Sequence, residues 1–290
     1  MEYFAKQLIN GLALGSIYAL VAVGYNMVYG ILQLINFAHG DIYMFGSFIS
    51  LSLSRIKIPF AIGGPLAALA GGLTALVVER VAYRPVRGAN RIVPMISAVG
   101  AALVIRNVAL LVWGPETFSH PKVIPANPIS IGPFTFNTLQ LVILVLATAL
   151  MGLFMLLVRS TKLGKATRAV SQDIPTARLM GIEANRIIQL VYFAGGFLGV
   201  AGGILFSMYY AIWIGMGFLG TMKAWTAVVL GGIGSLKGAF VGGMLLGLAE
   251  AFISGYISSA YRDAISFGIL MLVLLVRPTG LFGQQLAQRA

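Results

Sequence analysis

The sequence predicts an all-α polytopic membrane protein: one transmembrane domain over residues 1–290, with eight or nine membrane segments. Three observations predict it. Of the 290 residues, 59% are hydrophobic and only 10% are charged, where a soluble domain carries about 25% charge. Apolar runs of about 20 residues, the length that crosses a bilayer core, recur along the chain. The remaining charges collect in the stretches between those runs. A mean hydropathy of +0.92 excludes a large soluble core. The 36 glycines spread through the apolar runs fit the same class, because small residues let helices approach closely where lipid gives them no hydrophobic reason to associate.

Taken in order, residues 8–29, 58–78, 92–113, 139–158, 187–210 and 238–257 read as full spans. Residues 264–276 are shorter, with an abrupt polar stop at Arg277-Pro278. Two further segments, 42–53 and 224–233, are short and bounded by glycines or polar residues. The first run continues past signal-peptide length without a small-residue cleavage site, so it reads as a span. The two short segments occupy similar places in the two halves, each before a glycine-rich span, which suggests a pseudo-repeat. Paired short or glycine-interrupted segments point to broken helices around a transport site; the alternative is two ordinary short helices shielded by neighbours.

The formal net charge of +12 invites a nucleic-acid reading. The charges lie in loops, however, where excess Lys and Arg orient a chain in its membrane, so the expected partner is the lipid bilayer and no nucleic acid. The loop 79–91 carries Arg80, Arg84, Arg87 and Arg91. The loop 159–186 carries Arg159, Lys162, Lys165, Arg168, Arg178 and Arg186. Between them, 114–138 has Lys122 as its one basic residue. The first and third are therefore expected in the cytoplasm and the middle one outside. Parity puts the C-terminus inside, and the N-terminus outside if both short segments cross.

The long basic loop contains a bounded helix. Asp173 can accept from first-turn amides, Pro175 is tolerated in that turn, and Gly181 can close the helix in a left-handed conformation. The helix carries Ala177 and Arg178 and is about two turns long. Something on the cytoplasmic side is expected to grip it; the alternative is a surface helix lying on anionic lipid.

Polar groups inside spans are expensive and often functional. Asn36, His39 and Asp41 are candidates for a pathway or gate. They also fit a capping role at the start of 42–53, with Asp41 satisfying first-turn amides, and capping is the preferred reading. His39 is not expected to ligate metal, since the only other histidine, His120, lies in the outer loop. Glu250 and Arg106 must face protein or water. For Glu250 a structural hydrogen bond or ion pair is preferred over a proton relay. Lys223 and Trp225 read as external interfacial anchors.

The chain has no cysteine, which excludes disulfides, thiolate nucleophiles and Cys metal sites. It also lacks a phosphate-cradling Gly-x-x-x-x-Gly-Lys-Ser/Thr loop: Gly164-Lys165 is followed by Ala166, and Arg159 stands where the first glycine belongs. No cofactor is expected on this chain, and any ATP hydrolysis must occur in another subunit.

Four longer motifs carry a resemblance: residues 34–46 (LINFAHGDIYMFG), 79–87 (ERVAYRPVR), 229–243 (VLGGIGSLKGAFVGG) and 277–283 (RPTGLFG). Together, in order and over nearly the whole chain, they resemble LivH-type permeases for branched-chain amino acids. Residues 175–181 are similar to the Glu-Ala-Ala-x-x-x-Gly loop of ABC importer permeases. Ala177 and Gly181 match it, while Pro175 and Thr176 stand where Glu and Ala belong. The resemblance implies a bacterial inner-membrane permease that moves hydrophobic amino acids by alternating access. It implies a second homologous permease subunit, two cytoplasmic ATPase subunits that use ATP, and an external substrate-binding protein. The alternatives are an ion-coupled secondary transporter, with Glu250 or Asp41 as the coupling group, or a permease for another amino acid or urea-like solute.

Overall fold

The computed structural model describes residues 2–121, 124, 127–131, 134–277 and 279–283; Lys122 and Pro278 lie outside them. The described chain is built from α1 (Glu2–Leu32), α2 (His39–Arg55), α3 (Phe60–Val78), α4 (Ile92–Trp113), the strands β1 (Pro128–Ile131) and β2 (Phe134–Asn137), α5 (Thr138–Ser160), α6 (Lys162–Gln172), α7 (Ile174–Leu179), α8 (Ala184–Tyr209), α9 (Met216–Gly231), α10 (Leu236–Tyr256) and α11 (Arg262–Val276). Among the described residues, seven segments are long and apolar enough to cross a membrane: α1, α3 with its extension to Val86, α4, α5, α8, α10, and α11 with the turn before it. Helices α2 and α9, 17 and 16 residues long, are the two short segments. Both begin earlier in the chain than the sequence pattern suggested, by three residues for α2 and eight for α9.

Sidedness follows from contacts at the helix ends. Away from the basic loops, Tyr3 Oη donates to Gly255 O at 2.6 Å, and Asn10 of α1 bonds Gln140 at the start of α5 and Tyr209 at the end of α8. On the basic side, Gly234 N donates to Asn26 Oδ1 at 2.9 Å. There also, Leu281 and Phe282 amides donate to the last carbonyls of α9, Leu230 and Gly231, at 3.0 and 2.8 Å. Helix α1 thus starts opposite the basic loops and the 279–283 segment ends beside them, the parity expected when both short segments cross.

The core is α1, α8 and α10, packed through glycine. A Cβ on Gly15 would lie 2.8 Å from Met244 O, and one on Gly247 would lie 2.2 Å from Gly15 Cα. Backbones this close exclude any larger residue. Helix α8 packs along α3 as α1 packs along α10, α2 touches α4 as α9 touches α11, and α1 meets α8 while α2 meets α9. Helices α1 and α8 run in opposite directions. Helices α1–α4 and α8–α11 are therefore two inverted halves, the pseudo-repeat that the paired short segments suggested. The outer helices α4, α5 and α11 leave large apolar side chains such as Leu111, Leu156 and Leu275 exposed, as lipid-facing helices do.

Candidate functional site

The two short helices begin against each other. After α1, Gln33 takes φ 53° and the chain turns back into the bundle as buried, non-helical backbone. Such backbone is tolerated at membrane depth only inside protein, with its polar groups satisfied. Asn36 does part of that work: its Oδ1 accepts from Ala38 N at 3.1 Å and from Tyr83 Oη at 3.2 Å. His39, 1% exposed, opens α2 with its ring edge-on to Tyr25 at 5.4 Å between centroids. Gly40 N donates to Thr221 Oγ1 at 3.0 Å, and a Cβ on Gly40 would sit 1.9 Å from Gly217 O. From this contact α2 runs away from the basic side to the opposite end of the bundle, and there Ser50 Oγ meets His120 Nε2 at 3.2 Å. Helix α9 runs toward the basic side. Two helix N-termini, each with partial positive charge, thus converge inside the protein.

Asp41 lies at this convergence, and the capping role expected of it is not what the structure gives. The residue before α2 is Ala38, with no side-chain cap bond. Asp41 instead accepts a two-pronged bond from Arg106 of α4, Nε to Oδ1 at 3.0 Å and Nη2 to Oδ2 at 3.2 Å. A guanidinium fork offers a buried carboxylate more than first-turn amides can, and Asn36 already serves the local backbone. Arg106 therefore pairs with Asp41 and not with Glu250.

Glu250 anchors a second cluster. It is fully buried, its Oε2 accepts from Tyr18 Oη at 2.8 Å, and its Oε1 accepts from Lys223 and from Ser266. Lys223 also pairs with Asp263 at 2.8 Å. The expectation that Lys223 is an external anchor is therefore wrong: it is 4% exposed, because α9 starts at Met216 and makes it a mid-helix residue. Trp225 also faces inward, its ring 5.9 Å from Tyr25 and 5.6 Å from Tyr29. The signal that could have found Lys223 was Glu250 itself, a buried acid that demands a cation. The two clusters mirror each other across the repeat: Asp41–Arg106 joins α2 to α4, and Lys223–Asp263 joins α9 to α11, with the charges exchanged.

The third region is 159–186, which holds two helices. Helix α6, missed in the sequence, is capped by Thr161, whose Oγ1 accepts from Gly164 N at 3.2 Å. Helix α7 has the expected ends. Asp173 Oδ1 accepts from Thr176 N at 2.8 Å, Pro175 lies in the first turn, and Gly181 takes φ 78°. Gly181 N and Ile182 N close the helix on Arg178 O and Ala177 O, both at 3.0 Å. Ala177 is buried, while Leu179 and Met180 are 87% and 78% exposed. Pro175 and Arg178 are exposed beside them. Among the described residues, no group of three or more His, Asp or Glu could hold a metal ion.

The family model for the permease component of branched-chain amino acid transport systems matches residues 7–274. The chain belongs to this family. It is 40% identical to the high-affinity branched-chain amino acid transport system permease protein BraD of Pseudomonas aeruginosa, over 97% of this chain and 96% of that one. It is equally similar, with the same coverage, to the corresponding LivH of Escherichia coli K12. Among solved structures, it resembles PsaBC from Streptococcus pneumoniae in complex with Fab, with a TM-score of 0.52, 14% identity, and coverage of 96% of this chain and 93% of that one; at that identity the likeness concerns the fold. This permease is thus a multi-pass inner-membrane transport subunit, and its relatives are permeases and not enzymes. Its 34–46 and 229–243 motifs build the turn into α2 and the turn out of α9.

Proposed function

We propose that this permease forms half of the translocation pathway of an ATP-driven importer for branched-chain amino acids. A second homologous permease completes the pathway, two cytoplasmic ATPase subunits drive it, and an external binding protein delivers the substrate. The observation that carries the reading is 40% identity over nearly the full length to two branched-chain amino acid permeases. The 159–186 segment is the coupling element. Asp173, Pro175 and Gly181 fix the ends of α7, Ala177 seats it, and Arg178, Leu179 and Met180 are presented outward. ATP is used by the partner subunits and this chain binds no cofactor. Asn36, His39 and Asp41 border the gate where α2 and α9 meet, and Glu250 braces the neighbouring cluster. Alternating access tilts the inverted halves about the α1–α8 and α2–α9 contacts.

A competition screen tests the substrate. With the cognate binding protein and ATPases, excess unlabelled leucine, isoleucine or valine should displace labelled leucine uptake, and urea or a charged amino acid should not. Displacement by urea, or uptake confined to a charged amino acid, would overturn the assignment.

A further inference from the structure

On the side away from the basic loops, a recess lies between α2, α8, α9 and α11. Tyr43, Phe206 and Trp213 form one wall, and Lys223, Arg262 and Asp263 form another. Its free volume is about 30 Å³, on the scale of a single water. The charged groups differ in what they are bound to. Lys223 is held inside by Glu250 and by Ser266 Oγ at 3.1 Å, and it also reaches Asp263 Oδ1 at 2.8 Å, a contact that the ligand ammonium would share. Arg262 Nε stands 3.8 Å from Glu250 Oε2 and 3.8 Å from Asp263 Oδ1, longer than a hydrogen bond. Its guanidinium lies 5.3 Å from the centre of the Tyr210 ring. The side chains of Arg262 and Asp263 are 26% and 42% exposed. A cation not hydrogen-bonded to either carboxylate and a carboxylate on the next residue therefore face the same aromatic-walled recess. The four charges sum to zero, which suits a ligand that is itself neutral overall and carries both signs.

The geometry points to a receiving site for a zwitterionic α-amino acid with an apolar side chain. Arg262 takes the ligand carboxylate, Asp263 takes its ammonium, and Tyr43, Phe206 and Trp213 face its side chain. This rests on the amino-acid permease reading and adds where in this chain the ligand is held. A planar guanidinium fork matches a carboxylate, and desolvation by the aromatic wall strengthens both contacts. The recess is smaller than such a ligand, so entry requires α11 to swing outward. Helix α11 suits this movement: with the turn before it, it is the least buried of the crossing segments, 6% of its 18 residues being buried. The Lys223–Glu250 pair beneath stays in place as the floor.

The test uses the complete transporter in nanodiscs without its binding protein. Trp113→Phe and Trp225→Phe leave Trp213 as the single tryptophan of this chain, and the Trp213-dependent emission is taken as the difference from a matched Trp213→Phe sample. L-leucine should change that emission saturably. Leucinamide, which lacks the carboxylate, and 4-methylpentanoate, which lacks the ammonium, should bind about tenfold more weakly or less, the loss expected for one charge-assisted contact. Arg262→Gln should weaken leucine and erase its advantage over leucinamide. Asp263→Asn should erase the advantage over 4-methylpentanoate. Arg262→Lys should recover part of the binding, which a packing role for the guanidinium would not predict. Binding-protein-dependent leucine uptake is measured with the same purified transporter, wild type and single-tryptophan variant, reconstituted into proteoliposomes. If the wild type takes up leucine but Trp213 does not respond, or responds equally to all three compounds, the site is wrong and the permease reading stands. If uptake of leucine is absent, the permease reading fails with it.

Discussion

Glu250 and Lys223 show what a single residue decides in this protein. A buried carboxylate without a cation would cost several kcal/mol, and removing one partner of a buried pair costs about 3–5 kcal/mol. Glu250→Gln should therefore destabilise the permease by about 3 kcal/mol, since Asp263 still faces Lys223 but the inner charge is lost. Adding Lys223→Met should restore most of that loss. Thermal unfolding of the detergent-solubilised protein checks this, and a single variant as stable as wild type would contradict it. At this scale the sequence marked the right residues: the ion pair preferred for Glu250 is present, while the readings of Asp41 and Lys223 were overturned. Glu250 and Arg106 were legible as polar groups that could not face lipid. Their partners lie 27 and 65 residues away, beyond any local pattern. Asp41 was misread because an acid in the first turn of a helix looks the same in sequence whether it meets amides or an arginine from another helix.

At the scale of elements, caps were legible and starts were not. Asp173 and Gly181 delimit α7 by local backbone chemistry, so the helix could be found without tertiary information. The first turns of α2 and α9 are rich in glycine and polar residues, because those turns pack against each other, and hydropathy alone cuts them off. Helix α6 is polar and amphipathic and gives no membrane signal. Two predictions belong here. Leu179→Ser with Met180→Ser should leave membrane insertion intact and weaken association with the ATPase by about thirtyfold, read as lost co-purification, the effect of removing two apolar contacts worth about 1 kcal/mol each from an interface. Undiminished co-purification would mean that α7 faces lipid headgroups. The second concerns the outer loop. His120 is buried against Ser50, with Nδ1 3.2 Å from Pro121 O, and burial lowers its pKa below the ordinary histidine value. The folded loop thus favours the neutral ring. Its contribution is complete above the unfolded value of about 6.5 and falls as the pH drops through that value toward the lowered folded one. Phe118 and Ile212 tie that loop to the chain after α8 through paired backbone bonds of 2.8 and 2.7 Å; hydrogen exchange at their amides, corrected for intrinsic rates, should speed up between pH 7.5 and 5, and His120→Gln should remove that pH dependence. A pH-dependent change that survives in the variant would place the titrating group elsewhere.

At the scale of the whole molecule, the fold is two inverted halves joined through glycine-lined contacts, with a short helix from each half meeting at the centre. The class and the repeat were legible, since both follow from apolar length and from the spacing of the two short segments. The mirror pairing of Asp41–Arg106 with Lys223–Asp263 was not, because it exists only once the halves are folded against each other. Two interlocked halves, α1 packed along α10 and α8 along α3, with an exposed helix end at Leu179 and Met180, suit a transporter driven from outside the chain, through α7, rather than by an ion moving within it. Purified permeases, ATPases and binding protein in proteoliposomes test this most directly. Leucine uptake should require ATP on the ATPase side and the binding protein on the other, and should continue when proton and sodium gradients are collapsed. Uptake that persists without the ATPase subunits and stops when those gradients are removed would contradict the account.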